Sequence, residues 1–199
     1  KGTPFKLTGS ATDPGGNGSL TYCWEQNDDA SAGIGAGNSL GATGSLVTTT
    51  KTTGPTFRSR SPETVAYRYM PKMQSILNNT LTADWESVSD VSRNLNFALT
   101  VRDNIAGGGQ TNTDAMVVTV NSLVGPFDVT SQNTDGIVWA QGSTQTITWN
   151  TNGSTSLVGS TNVDIFLSID NGQTFGTTLA SNIPNSGSYN ITVPSIDAA

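Results

Sequence analysis

The stretch Thr12-Asp13-Pro14-Gly15-Gly16-Asn17-Gly18-Ser19-Leu20-Thr21-Tyr22-Cys23-Trp24-Glu25-Gln26 decides the fold. Its first half sets a proline with fixed φ beside several residues free to take positive φ, which is turn chemistry. Its second half alternates. Leu20, Tyr22 and Trp24 fall on one face and Thr21, Cys23 and Glu25 on the other, so an aromatic pair points into a core directly after a tight polar turn. A turn feeding an aromatic central strand is how many β-sandwiches of the immunoglobulin type begin.

The same alternation recurs outward from this strand. Residues 5–8 read as a first strand, 46–50 and 56–58 as short ones separated by Gly54-Pro55, and 94–102 as a long one with Leu95, Phe97, Leu99 and Val101 on one face. A closing strand over 115–120 pairs with it after the Gly107-Gly108-Gly109 loop. Residues 27–44, rich in Asp, Ala, Ser and Gly, read as a long surface loop. Residues 61–92 fit a simple sandwich least well: Met73, Ile76 and Leu77 stand at i, i+3, i+4, the spacing of one or two helical turns. The expectation is a decorated crossover holding a short helix.

Gly125-Pro126 breaks the chain after a finished strand, which places the domain boundary between residues 124 and 125. Beyond it, residues 127–129, 144–149, 163–169 and 189–193 read as strands, with Ile147, Trp149, Val163, Ile165, Leu167, Ile169, Tyr189, Ile191 and Val193 inward. About five strands in 125–199 fall short of the roughly seven of an immunoglobulin domain, so this domain is expected to lack its last strand or two. The fold class is all-β: two tandem immunoglobulin-like β-sandwiches, residues 1–124 and 125–199, the first with the decorated crossover. The opening at Lys1-Gly2-Thr3-Pro4, with neither Met nor a signal peptide, reads as a piece of a longer protein.

Composition supports β structure, with 22 Gly, 8 Pro and only 12% charged residues among long Ser/Thr/Asn tracts. The net charge is −6, and every Lys and Arg lies at or before Arg102. Residues 125–199 therefore carry five Asp and no cation. A domain without a positive side chain cannot hold a phosphate backbone, which excludes nucleic acid as a partner. No apolar run approaches the roughly 20 residues of a spanning helix, so membrane insertion is not expected. One cysteine permits no intrachain disulfide, and the polar, acidic make-up points to a secreted or cell-surface protein.

The absence of histidine removes Ser-His-Asp and Cys-His catalysis, and one cysteine cannot build a zinc centre. Glu63 and Glu86, with Asp84, are carboxylates of the kind glycosidases pair, but nothing in their spacing favours it. Cys23 reads as a small strand residue. Asp13, Asn17, Asp28, Asp29, Asp103, Asn104 and Asp114 sit in or beside loops. Calcium takes six to eight oxygens from such groups; Asp13, Asn17, Asp103 and Asp114 are the candidate ligands, and capping of turns is the alternative. Tyr69 and Trp85 lie in the crossover as candidate ligand- or partner-binding aromatics, set against plain packing on the sandwich edge. Ser168, Asp170, Gly172, Thr174 and Phe175 form the pattern Ser-x-Asp-x-Gly-x-Thr-aromatic, the Asp-box. It reads as a structural hairpin, since a sialidase also needs an arginine cluster and this domain has no Arg.

Three blocks carry a resemblance: residues 9–14 leading into Leu20-Thr21-Tyr22-Cys23-Trp24-Glu25-Gln26; Arg68-Tyr69-Met70-Pro71-Lys72 through Ile76-Leu77-Asn78-Asn79-Thr80; and Arg93-Asn94-Leu95-Asn96-Phe97 through Thr100-Val101-Arg102-Asp103-Asn104. Gly125-Pro126-Phe127, Gln145-Thr146-Ile147-Thr148-Trp149 and Val163-Asp164-Ile165 extend it. The chain resembles the region that follows the catalytic domain in secreted bacterial reprolysin-like zinc metallopeptidases, and its first domain looks like a relative of PKD and cadherin-like modules. The resemblance implies a His-Glu-x-x-His peptidase upstream, none of whose catalytic residues occurs here, and an accessory role that spaces, stabilises or docks that catalytic domain. The rival reading is an adhesin or carbohydrate-binding module that recognises glycan or extracellular matrix protein.

Overall fold

The computed structural model describes residues 1–29, 47–83 and 85–196, apart from the side chain of Asn17. Most of the loop expected over 27–44, Leu46 and Asp84 therefore lie outside the described residues. The chain is all-β and divides into two compact units, Lys1–Ser122 and Leu123–Ala199. No helix among the described residues is long and apolar enough to cross a membrane.

The first unit runs β1 (Phe5–Thr8), β2 (Thr21–Gln26), β3 (Tyr67–Met70), α1 (Met73–Leu77), β4 (Thr82–Ala83), β5 (Glu86–Ser87), β6 (Arg93–Arg102) and β7 (Thr111–Val120). One sheet has the order β2-β6-β7 and a second pairs β1 with β3, all antiparallel. The inward row of β6, Leu95, Phe97 and Leu99, meets Leu7, Trp24, Phe57 and Met70 in one buried cluster. Phe57 and Phe97 each contact Phe5 edge-on, at centroid distances of 5.7 Å (Phe5 to Phe57) and 6.0 Å (Phe5 to Phe97). Burying side chains of this size contributes about 1.5–3 kcal/mol each, the main favourable term for a unit this small.

The crossover is held down by polar pins. Gln26 Oε1 accepts the N–H of Thr56 (2.8 Å) and of Phe57 (2.9 Å). Arg93 donates to the carbonyls of Lys51 (2.9 Å) and Gly54 (2.6 Å). Arg68 stands opposite Leu7 in the β1–β3 register and so turns inward; it donates to the carbonyls of Trp24 and Arg58, both at 2.6 Å, and pairs with Glu86 Oε1 at 3.0 Å. Glu86 also receives Arg60 on both oxygens, at 3.0 and 2.9 Å, and the Lys72 N–H at 3.1 Å.

Several expectations need correction. Residues 47–50 are coil and turn rather than strand, and of 56–58 only Phe57 forms a bridge, to Glu86. Residues 56 and 57 are anchored by Gln26, and the Thr49 carbonyl accepts the Asp90 N–H at 2.7 Å, single bonds that fix a backbone without a neighbouring strand. The helix is present, but the face it buries holds Ser75, while Leu77 is 50% exposed; five residues with one polar anchor seat do not follow an apolar stripe. The closing strand begins at Thr111, because ladder pairing with β6 continues through Asn112 and Thr113 although their side chains are polar. Cys23, on the face read as outward, is buried and donates to the Arg60 carbonyl at 3.4 Å, since residues 57–63 cover that face.

The second unit runs β8 (Asp128–Val129), β9 (Thr144–Asn150), β10 (Asn162–Leu167), β11 (Thr177–Pro184) and β12 (Ser188–Thr192). Its sheets are β12-β9-β8 and β10-β11. The arm β11 carries no regular alternation in its sequence, because the register opposite β10 is bulged. Trp149 and Ile191 are buried as expected, whereas Ile169, which lies beyond the end of β10, and Tyr189, which pairs with Ile147 on the end strand of its sheet, are exposed. Trp149 Nε1 donates to Asn185 Oδ1 (2.7 Å), and Asn185 in turn donates to Ser154 Oγ (3.0 Å) and the Ser160 carbonyl (2.9 Å), a buried polar knot the alternation gave no sign of.

Gly9 follows β1 and lies flat on the core. A Cβ built there would stand 2.3 Å from Leu99 Cδ2 and 3.2 Å from the Trp24 ring. Gly9→Ala is therefore expected to lower unfolding free energy by about 1–3 kcal/mol, the cost of overpacking, in a urea melt. Gly18→Ala, with nothing within 4 Å, is expected to stay within about 0.5 kcal/mol of the parent.

Candidate functional site

An open cleft of about 680 Å³ lies in the first unit, within the roughly 300–1,000 Å³ of ligand sites. Residues 8–14 form one wall and residues 110–116 the other, with Leu20, Trp24, Leu99 and Val101 between them. Seven consecutive residues of one strand and its lead-in line it, which only the strand's edge allows, because successive side chains point to opposite faces. No Lys or Arg lines it, whereas Asp13, Asp103 and Asp114 do.

The structure thus brings three of the four candidate calcium ligands to one cleft. Asp103 is buried at the end of β6, where its Oδ1 accepts the N–H of Ile105 (3.2 Å) and of Gln110 (2.9 Å) and closes the loop between β6 and β7. Gly109 fits beneath it; a Cβ there would come 3.0 Å from that oxygen. Asp114 Oδ1 accepts the Ala115 N–H at 2.8 Å. Asn17 lies in a short 3-10 turn, Asn17–Ser19. Among the described residues no three Asp, Glu, His or Cys side chains gather as a metal-holding group. Asp103 and Asp114 each accept from amides of their own loop or strand, a use different from the convergent oxygen shell calcium takes.

Asp28 is drawn instead to Arg93, at 3.7 Å, and to the side chains of Gln26 and Asn96. Asn104 donates to the Ser19 carbonyl at 2.6 Å and to Thr21 Oγ1 at 2.9 Å, tying the β6–β7 loop to the opening turn. Of the carboxylates considered as an acid/base pair, Glu86 is buried between two arginines and Glu63 is exposed, its backbone bridging Tyr22. Burial pushes the Arg68 guanidinium below its ordinary value, and Glu86 opposes that shift. Such a carboxylate has no lone pair directed at solvent with which to take a proton.

Tyr69 and Trp85 are not brought into this cleft. Tyr69 stands on the outer face of β3 beside Tyr67, ring centroids 5.6 Å apart at 71°, with Lys6 Nζ 4.1 Å above the Tyr67 ring. Burial against this neighbour pushes the Tyr69 hydroxyl up from its ordinary value. Trp85 occupies the tight turn between β4 and β5 with a positive φ of 71° and half its surface exposed.

In the second unit Ser168 and Asp170 form a closed hydrogen-bonded turn. Ser168 Oγ accepts the Gly172 N–H (2.8 Å) and donates to Asp170 Oδ1 (2.7 Å), which also accepts the Thr174 N–H (2.9 Å); Thr174 Oγ1 donates to Asp170 Oδ2 (2.6 Å). Gly172 takes a φ of 77°. Phe175 lines an apolar cavity of about 430 Å³ together with Trp139, Ile147, Trp149, Ile165 and Leu167. The hydrogen bonds from Thr174, then that from Ser168, pull the Asp170 carboxyl down to about 2.

Residues 130–198 match the Kre9/KNH-like N-terminal Ig-like domain family. The second unit is therefore an Ig-like domain, the coarser part of what the sequence resemblance implied. No curated protein and no solved structure matches the chain.

A carboxyl lowered by its native partners contributes stability above its unfolded value and loses it as pH falls toward the folded value. For Asp170 that window runs from the ordinary 3.8 down to about 2. Carboxyl-carbon NMR titration is expected to give a midpoint near the lower figure, rising toward the ordinary one in Thr174→Val. A native midpoint near 4 would contradict the hydrogen-bonded turn.

Proposed function

We propose that the chain is a pair of non-catalytic β-sandwich modules of a secreted, multidomain zinc metallopeptidase, serving to space or dock its catalytic domain. One observation carries this reading: the acidic side chains best placed for chemistry are each taken up by donors of their own fold. Glu86 is held by Arg60, Arg68 and the Lys72 N–H, Asp103 by two loop amides, and Asp170 by Ser168 and Thr174. A general acid or base must reach the proton it moves in a plausible pose, and groups so engaged do not. The sequence blocks that resemble the region after a reprolysin-like catalytic domain supply the parent; the Ig-like family match is compatible with an accessory module and says nothing of a peptidase.

A second reading, recognition of glycan or matrix protein, draws on the half-exposed Trp85 and on Tyr67 and Tyr69 on the outer face of β3. Exposed aromatic rings can stack on sugars, but the two tyrosines stand at 71° to one another, so they do not form the flat platform a sugar face needs. The accessory reading is preferred for that reason.

The purified chain is expected to turn over none of a panel of protein, peptide and glycan substrates; turnover that co-elutes with the folded chain and is lost when the chain is unfolded in urea would overturn the proposal. Deleting the chain from the full gene product is expected to spare hydrolysis of short peptides and to lower hydrolysis of folded protein about tenfold, the scale of one lost docking contact. Specific signals on a glycan array that vanish in Trp85→Ala would favour the second reading.

A further inference from the structure

β7 pairs with β6 along all ten of its residues, and among the described residues its other edge has no strand beside it. Alternate residues of an antiparallel strand turn both backbone groups to the same side. Thr113 N–H and Ala115 N–H donate to the side chains just before them, Asn112 Oδ1 and Asp114 Oδ1, at 2.8 Å each. These amides therefore point away from β6, and by the same alternation so do those of Val117 and Thr119. The edge is long and carries neither Pro nor Lys, and its one inward-pointing charge, Asp114, disfavours any added strand that brings no cation to meet it. Among the described residues its outward amides at Thr113 and Ala115 are met by two small side-chain caps.

That edge opens onto the acidic cleft. Across from it run residues 10–13, which belong to no strand. Two stretches of backbone thus face each other across a slot floored by Trp24, Leu99 and Val101, with Asp13 on one wall and Asp114 on the other. Asp114 stands opposite Leu99 in the ladder, so it belongs to the inner row of β7 together with Met116. A strand added beside β7 would place its own inner-row side chains about 4.5–5.5 Å from these positions.

We propose that this slot takes an extended, lysine- or arginine-bearing peptide segment, which adds as a strand to β7 and directs its basic side chain between Asp13 and Asp114. The peptide's carbonyls take over the Thr113 and Ala115 N–H groups, which releases the Asp114 carboxylate from its capping bond to pair with the incoming cation. The aliphatic stem of that side chain lies over Leu99 and Met116, the usual way lysine and arginine cover apolar surface. Main-chain bonds supply affinity and the pocket supplies selectivity, as in other strand-addition sites. A second copy of this chain paired through β7 is the wrong occupant: β7 carries no Lys or Arg and would bring Asp114 against the acidic wall of its mate. This inference rests on the β7 edge and holds whatever enzyme the modules accompany.

The test uses the whole chain and a short end-blocked peptide that alternates lysine and valine, followed by fluorescence anisotropy at low and near-physiological salt. Binding is expected, weakening as salt rises, and a counterpart with glutamate in place of lysine is expected not to bind. Asp114→Asn should weaken binding about tenfold, one charge-assisted contact. Ala115→Pro removes an outward N–H without touching the β6 ladder and should abolish binding at an unchanged melting temperature. Should that variant not fold, hydrogen exchange of the native chain decides: saturating peptide should slow the amides of Ala115 and Val117 and leave those of Asn112 and Met116, already in the ladder, as they were. Equal binding of the two peptides, no binding of the lysine peptide, or unchanged exchange at Ala115 and Val117 would overturn the proposal.

Discussion

Glu86 and Arg68 meet at 3.0 Å with their side chains 4% and 10% exposed, and the first unit is assembled around that contact. Two charges withdrawn from water cost several kcal/mol each unless every remaining donor and acceptor is met. Here most are. Glu86 binds Arg60, Arg68 and the Lys72 N–H, while Arg68 reaches the carbonyls of Trp24 and Arg58. The partners come from β2, β3, β5, the start of α1 and residues 57–63, so a single carboxylate ties the crossover to the central strand. Phe57, Met70 and Leu7 are enclosed because these segments are held in place, and the Arg68 Nε stays buried without a hydrogen bond.

This arrangement explains which parts of the fold could be read from residue order. Strands whose inner faces are plain alternations, such as Leu95-x-Phe97-x-Leu99 and the Tyr22 to Trp24 run, are specified locally, since burial of one face demands a period of two. The crossover is not. Residues 47–58 are fixed by Gln26 and Arg93, and Ser75 occupies the buried side of α1, none of which leaves a periodic trace. Arg68 looks like an ordinary outward residue between two tyrosines, although it is Tyr67 and Tyr69 that face out. A rule could have found it: in a strand whose aromatics flank a charge, the charge is inward only if a buried acid lies elsewhere, and Glu86 beside the exposed Trp85 was that acid.

The carboxylates of the candidate site were legible as a group, while the use of each oxygen was not. Loops at one end of a sandwich do gather Asp13, Asp103 and Asp114 around one cleft. What residue types could not convey is how each oxygen is used: Asp103 closes the loop after β6, and Asp114 caps its neighbour's amide on an open strand edge. The Ser168 to Thr174 turn was easier, because its hydrogen bonds run between residues close in sequence. In the Ig-like unit the buried Asn185 plays for Trp149 a part resembling that of Glu86 for Arg68: in both units an inward polar partner specifies how an aromatic core is closed.

The central claim is that the buried Glu86–Arg68 contact holds the first sandwich together, and a double-mutant cycle in urea tests it most directly. Glu86→Gln is expected to cost about 3–5 kcal/mol, since it leaves the Arg68 charge buried and unpaired, and Arg68→Met, which leaves Glu86 its Arg60 partner, somewhat less. The double variant should cost at least about 1 kcal/mol less than the two losses combined. Single losses below about 1 kcal/mol that simply add would show that the crossover is held by its apolar contacts alone, and would contradict the account.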